Sequence, residues 1–134
     1  MRKTPDGFQM SFTTKPDVKV PHLDVNADTG NFVYAVSKLP AGKSYMCEGS
    51  TCSWSEFLRI WGEINGVKTR YQQVTLEQFI ERSPDKEFGK ETGDMWSYNS
   101  DPGYDGGDET LLKAEDIRKV SLPCVECEEG ANFM

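Results

Sequence analysis

Tyr34 and Lys38 stand four residues apart, which is one turn if the segment is helical. In that geometry a lysine ammonium lowers the pKa of the phenol, and the phenol can then hand a proton to a carbonyl. Pairs of this kind also arise by chance on amphipathic helices. No glycine-rich phosphate loop accompanies this one, so coincidence is the better reading. His22 is the single histidine and cannot assemble a two-histidine metal site by itself. It is a candidate acid or base, beside the plainer reading of a hydrogen-bonded loop histidine. Tyr98, Tyr104 and Asp28 complete the acid–base candidates.

The four cysteines are Cys47, Cys52, Cys124 and Cys127. Cys124-Val125-Glu126-Cys127 is a CxxC, and with Cys47 and Cys52 it offers four thiolates, the donor set of a structural zinc site. The first pair is loosely spaced and the CxxC follows a proline beside an acidic tail. That setting does little to activate a thiol, so reduced, unligated cysteines are expected, with no metal. Asp101, Asp105, Asp108 and Glu109 crowd a glycine-rich stretch whose spacing is not that of an EF-hand. A solvated acidic loop is expected there. Trp54 and Trp61, seven residues apart, read as core. Trp96, Tyr98 and Tyr104 flank a helix–loop junction and are candidates to line an apolar pocket for a small organic molecule.

Whole classes of function drop out. No glycine-rich phosphate loop is present, so the chain alone carries no motif for a dinucleotide or a nucleoside triphosphate. No GxSxG hydrolase elbow occurs either. Fifteen basic against 22 acidic side chains leave a net charge of −7, which repels a nucleic-acid backbone. No run of about 18 apolar residues exists to span a membrane. The N-terminus lacks the apolar core of a signal peptide, so the cytoplasm is the expected compartment. At 134 residues the chain reads as one domain over 1–120 with an acidic, cysteine-bearing tail over 121–134.

These residues need elements to hold them. Phe8-Gln9-Met10-Ser11-Phe12 alternates apolar and polar, the period of a half-buried strand. Val18 to Val20 is a second short extended run, closed by Pro21. Asn26 or Asp28 caps a helix reaching about residue 38, with Phe32, Val33, Val36 and Leu39 inward. A strand is expected over 44–47. Ser53-Trp54-Ser55-Glu56 matches a capping box. It opens a helix with Trp54, Phe57, Leu58, Trp61 and Ile64 on one face, stopped by Asn65-Gly66. A strand over 68–74 leads to a second capping box at Thr75-Leu76-Glu77-Gln78 and a short helix. A third long helix is expected over 87–99, presenting Phe88, Met95 and Trp96. A helical turn follows at 114–117. The order suggests α/β, becoming α+β in isolation, since the strands are too short and few for a doubly wound sheet.

Several of these runs, taken in order, resemble the NmrA-like family of atypical short-chain dehydrogenases. The resemblance is carried by Leu23-Asp24-Val25-Asn26-Ala27-Asp28-Thr29-Gly30, by Ser53 to Phe57 with Trp61, and by Tyr71-Gln72-Gln73-Val74 with Phe79. Met95 and Tyr98, then Gly103-Tyr104-Asp105-Gly106-Gly107 and Ala114-Glu115-Asp116-Ile117, complete it over most of 8–117. It implies a partial Rossmann-type fold: the C-terminal, substrate-side region, with short strands and three to four helices. The family's N-terminal Rossmann half binds NAD(P), through a loop that this sequence lacks. The resemblance further implies a substrate cleft near Asp28 and Thr29 and near the aromatic set Trp96, Tyr98 and Tyr104. The tail from Ser121 departs from the family pattern.

Two functions are then expected in competition. One is a binding module for a small organic ligand or a protein partner, with no cofactor of its own. Its bare apolar faces would favour a homo-oligomer or pairing with a separate Rossmann half. The other is a cofactor-independent isomerase or cyclase, or a fragment of an NAD(P)-dependent oxidoreductase.

Overall fold

The computed structural model describes residues 1–114 and Ile117. The elements are β1 (Arg2–Thr4), β2 (Gly7–Phe12), β3 (Lys19–His22), α1 (Val25–Val36), β4 (Ser50–Ser53), α2 (Trp54–Asn65), β5 (Thr69–Gln73), α3 (Leu76–Arg82) and α4 (Lys86–Tyr98). The segment Asn99–Gly103 follows α4; it is kinked at Asp101, whose backbone is extended, and contains a cis Asp101–Pro102 bond. The class is α+β. No helix among the described residues is long and apolar enough to cross a membrane.

The chain forms two compact units. The first comprises Met1–His22 and Ser50–Asp108; the second comprises Leu23–Gly49 and the segment from Glu109 onward.

In the first unit, β2 is the centre of a three-stranded sheet. It pairs antiparallel with β1 and parallel with β5, with Phe8 opposite Thr69 and Phe12 opposite Gln73. The alternation expected for β2 holds. Met10 is buried, while the Gln9 amide donates to Ser11 Oγ and to Gln72 Oε1 on the neighbouring strand. Phe8 meets Trp61 edge-on at 5.4 Å, and Phe12 meets Trp54 edge-on at 5.2 Å. Two rings four residues apart on the strand thus match two rings two turns apart on α2. The spans agree, about 13 Å along a strand and about 10 Å along a helix.

Helix α2 starts at the expected residue, with Ser53 Oγ accepting the Glu56 N–H at 3.2 Å but no return bond to the Glu56 carboxylate among the described residues, and stops at left-handed Gly66. Its inward face is narrower than the apolar pattern suggests. Leu58 and Gly62 are buried, whereas Ile64 is 73% exposed. Strands β3 and β4 form a separate antiparallel ribbon, with Val20 buried opposite Cys52. Pro21 does not end β3 but pairs with Thr51 inside it. Both strands of a two-stranded ribbon are edges, so a missing N–H is tolerated.

Helices α3 and α4 pack as a hairpin. The Thr75/Gln78 capping box opens α3, and Asp85 caps α4 by accepting from the N–H groups of Glu87 and Phe88. The inward residues of α4 are Gly89 and Gly93, not Phe88 and Met95, which are 64% and 53% exposed. A Cβ at Gly93 would lie 2.5 Å from Leu76 Cδ1, and one at Gly89 would lie 2.6 Å from Ser83 Cβ. An added side chain would have to displace Leu76 and Phe79 at Gly93, and at Gly89 it would meet Ser83 Cβ, with Ile80 Cα 3.4 Å away.

The end of β2 is tied to α4 by consecutive threonines. Thr13 Oγ1 donates to the Gly93 carbonyl at 2.9 Å, and fully buried Thr14 donates to the Trp96 carbonyl at 2.6 Å. Ser97 Oγ lies 2.9 Å from both Thr13 Oγ1 and the Gly93 carbonyl. Tyr71 donates to the Thr14 carbonyl at 2.6 Å, and burial pushes its phenol up to about 12.

In the second unit the N-cap of α1 is Asp24, not Asn26 or Asp28. Its carboxylate accepts from Asn26 and Ala27, and Asp28 answers by accepting the Asp24 N–H at 3.1 Å. No residue of α1 is fully buried, and Val33 of the expected inner stripe is 60% exposed. The strand expected over 44–47 reduces to one parallel bridge, Tyr45 to Leu112. Ile117, in the expected helical turn, is buried.

Candidate functional site

The first unit gathers a continuous aromatic cluster. Trp96, on α4, stacks on Phe12 with centroids 4.1 Å apart, and meets Trp54 edge-on at 5.3 Å. Trp54 also contacts Phe57 edge-on at 5.7 Å and His22 edge-on at 4.8 Å, while His22 stacks on Phe57 at 5.2 Å. His22 is therefore a half-buried strand residue, not a loop residue. Its Nε2 lies 3.3 Å from the Cys52 carbonyl. A carbonyl only accepts, so Nε2 carries the proton in this contact. The indole N–H of Trp54 is buried without a hydrogen-bond partner among the described residues.

This cluster regroups residues that the sequence separates. Trp54 reads as core and Trp96 as pocket lining, yet their rings are in contact. Trp96 and Tyr98 stand two residues apart on α4, so they point to different sides. Tyr98 is 48% exposed, and a Cβ on Gly106 would lie 2.7 Å from its hydroxyl. Tyr104, just past the kinked segment Asn99–Gly103, is 54% exposed. Trp96 is thus packed in the aromatic cluster, whereas Tyr98 and Tyr104 are largely exposed. Their signal in sequence is composition alone, which carries no direction.

Asp28 and Thr29 belong to the second unit. Asp28 lines a cleft of about 230 Å³ together with Leu23, Phe32, Ala35, Glu48 and Ile117. Two acidic residues line a space whose other walls are apolar residues and Gly49. Asp28 takes the Asp24 N–H and Glu48 takes the Ala114 N–H at 3.1 Å, so backbone donors orient both. The Thr29 hydroxyl is buried without a partner among the described residues. Burial first, and then the charge of Asp28, raises the pKa of the Cys47 thiol. Glu48 could not have been chosen from the sequence, because nothing local marks it.

Tyr34, 69% exposed, lies on α1, but the helix ends at Val36 and Lys38 stands in the turn beyond its cap, Ser37. Lys38 Nζ sits 5.1 Å from the ring centroid, a cation–π contact with the ring rather than the hydroxyl. Cys47 and Cys52 are free thiols. The Cys52 thiol is also raised, by burial and then by Glu56, so it is not activated as a nucleophile. Cys124 and Cys127 lie outside the described residues. In the acidic loop, Asp105 accepts the Gly107 N–H at 3.1 Å.

Comparison with protein-family models, with curated proteins and with solved structures finds no match to this chain.

Proposed function

We propose that this chain is a binding module for a small organic molecule, built like the substrate-side region of an NmrA-like protein and without a cofactor loop of its own. The supporting observation is the cleft of the second unit. Apolar walls of Leu23, Phe32, Ala35 and Ile117 surround the oriented carboxylates of Asp28 and Glu48. Such a space suits a ligand with an apolar body and a donor group, an amine or a hydroxyl. At about 230 Å³ it holds roughly one ring, below the usual range of drug-sized pockets.

The test is a titration with benzylamine and benzyl alcohol, followed by amide chemical shifts. Saturable shifts at Phe32 and Ala35, weakened in Asp28→Asn, support the reading. No shift at these amides with either compound sinks it. A parallel fluorescence titration with NADPH checks the missing cofactor. Saturation in the micromolar range would overturn that part.

Self-association is the second reading. Phe57, Ile60 and Ile64 form a stripe on α2 and are 36%, 40% and 73% exposed. Apolar faces of this kind favour association between copies. Light scattering during size exclusion decides it: a monomer at every concentration removes it.

A further inference from the structure

A second cleft, in the first unit, carries different chemistry. It occupies about 190 Å³ where the end of β5 meets the α3–α4 hairpin. Its lining includes Ser11, Val74, Phe79, Arg82, Phe88 and Thr92. Val74 is buried, and Phe88 stands 64% exposed at the cleft. The walls are held in place by the close approach at Gly89 and Gly93, where added side chains would meet Ser83, Leu76 and Phe79.

Three cations of the first unit differ in what they do. Lys86 Nζ is committed to the end of α3, donating to the carbonyls of Ile80, Glu81 and Ser83 at 3.2, 2.8 and 3.0 Å. That is the expected place for a cation, at the negative end of a helix. Arg59, on α2, is paired with Glu63 at 2.6 Å. Arg82 also stands in the last turn of α3, near that negative end, but its guanidinium has no hydrogen-bond or ion-pair partner among the described residues. It lines the cleft beside the Ser11 and Thr92 side chains. Ser11 Oγ accepts from Gln9, which leaves its own hydrogen to donate.

We infer that this cleft is a binding site for a small organic carboxylate with a single apolar ring. The ring lies against Val74, Phe79 and Phe88, and the carboxylate meets the Arg82 fork. A guanidinium matches a carboxylate with two parallel N–H donors, which an ammonium cannot reproduce. Charge complementarity selects the ligand's sign. The chain's net charge of −7 disfavours anions in general, so a carboxylate that binds must be held locally. A ligand of this size binds with a Kd on the order of millimolar. The inference does not depend on the cleft that contains Asp28.

The probe is benzoate, titrated into the full chain and followed by amide chemical shifts at pH 7. Saturable shifts at Val74, Gly89 and Thr92 are expected. Arg82→Gln should weaken binding about tenfold or more, the size of a lost charge-assisted pair, with Arg82→Lys in between. Arg59→Gln removes the same charge elsewhere and should leave binding unchanged. Benzyl alcohol, which has the ring without the charge, should bind these residues at least about tenfold more weakly than benzoate. The site is refuted if benzoate leaves these amides unmoved. It is refuted equally if Arg82→Gln, with its other amide shifts intact, binds as the parent does, or if benzyl alcohol matches benzoate.

Discussion

The indole of Trp96 lies on the ring of Phe12, with centroids 4.1 Å apart and planes 16° from parallel. The two residues come from the end of a strand and the last turn of a helix, 84 positions apart in sequence. The contact joins the sheet to the α3–α4 hairpin, beside the hydrogen bond from Thr14 to the Trp96 carbonyl.

Trp96→Ala should therefore destabilise the first unit strongly. Truncating a large aromatic in a packed cluster costs about 3 kcal/mol, and Trp96 is half-buried, which keeps the value at the low end. Tyr104→Ala should cost less than about 0.5 kcal/mol, because that side chain is largely in water. Urea denaturation of both variants measures the contrast. Equal losses would mean that the stack holds nothing together.

Two glycine-to-alanine substitutions should act in opposite directions. Gly93→Ala puts a methyl group 2.5 Å from Leu76 Cδ1 and should cost about 1–3 kcal/mol through overpacking. Gly30, in the middle of α1, has nothing within 4 Å of an added Cβ. Gly30→Ala should stabilise by roughly 0.5–1 kcal/mol, by lowering the entropy of the unfolded chain. Thermal melting compares them, and a neutral Gly93→Ala would show that the hairpin is looser than these distances imply.

Tyr71 makes stability depend on alkaline pH. Its buried phenol titrates at about 12, against about 10 for an exposed tyrosine. Between those values the folded chain keeps a proton that the unfolded chain releases. The contribution is whole below about pH 10 and is lost as pH rises towards 12. Melting temperature should thus fall across that window. In Tyr71→Phe the fall should shrink, at the cost of about 1 kcal/mol at neutral pH for the lost bond to the Thr14 carbonyl. An unchanged alkaline profile in that variant would assign the effect to other groups.

Local features are legible in the sequence. The capping box at Thr75 and Gln78, the cap at Ser53 and the stop at Gly66 are where the spacing puts them. Each depends on backbone groups within one turn of the residue that satisfies them. The alternation of Phe8, Met10 and Phe12 marks β2 for a similar reason: its period follows from strand geometry alone. The cap of α1 is a different case. Spacing points to Asn26 or Asp28, yet Asp24 takes the position. All three side chains are competent, and only the path of the preceding chain chooses among them.

Where most helices and strands form is written in the sequence, because those choices rest on contacts a few residues apart. Which faces turn inward, and which chemical groups meet, is set by packing between elements. The sequence offers Phe88, Met95 and Trp96 as the apolar residues of α4, yet the buried residues of that helix are Gly89 and Gly93, close to α3. Periodicity reports what a side chain gains by leaving water, not how near its neighbour comes. For the same reason the sequence marks Asp28 as a site residue but leaves Glu48 unmarked, and it separates Trp54 from Trp96. Those partners are chosen by packing across long stretches of chain, where spacing carries no information.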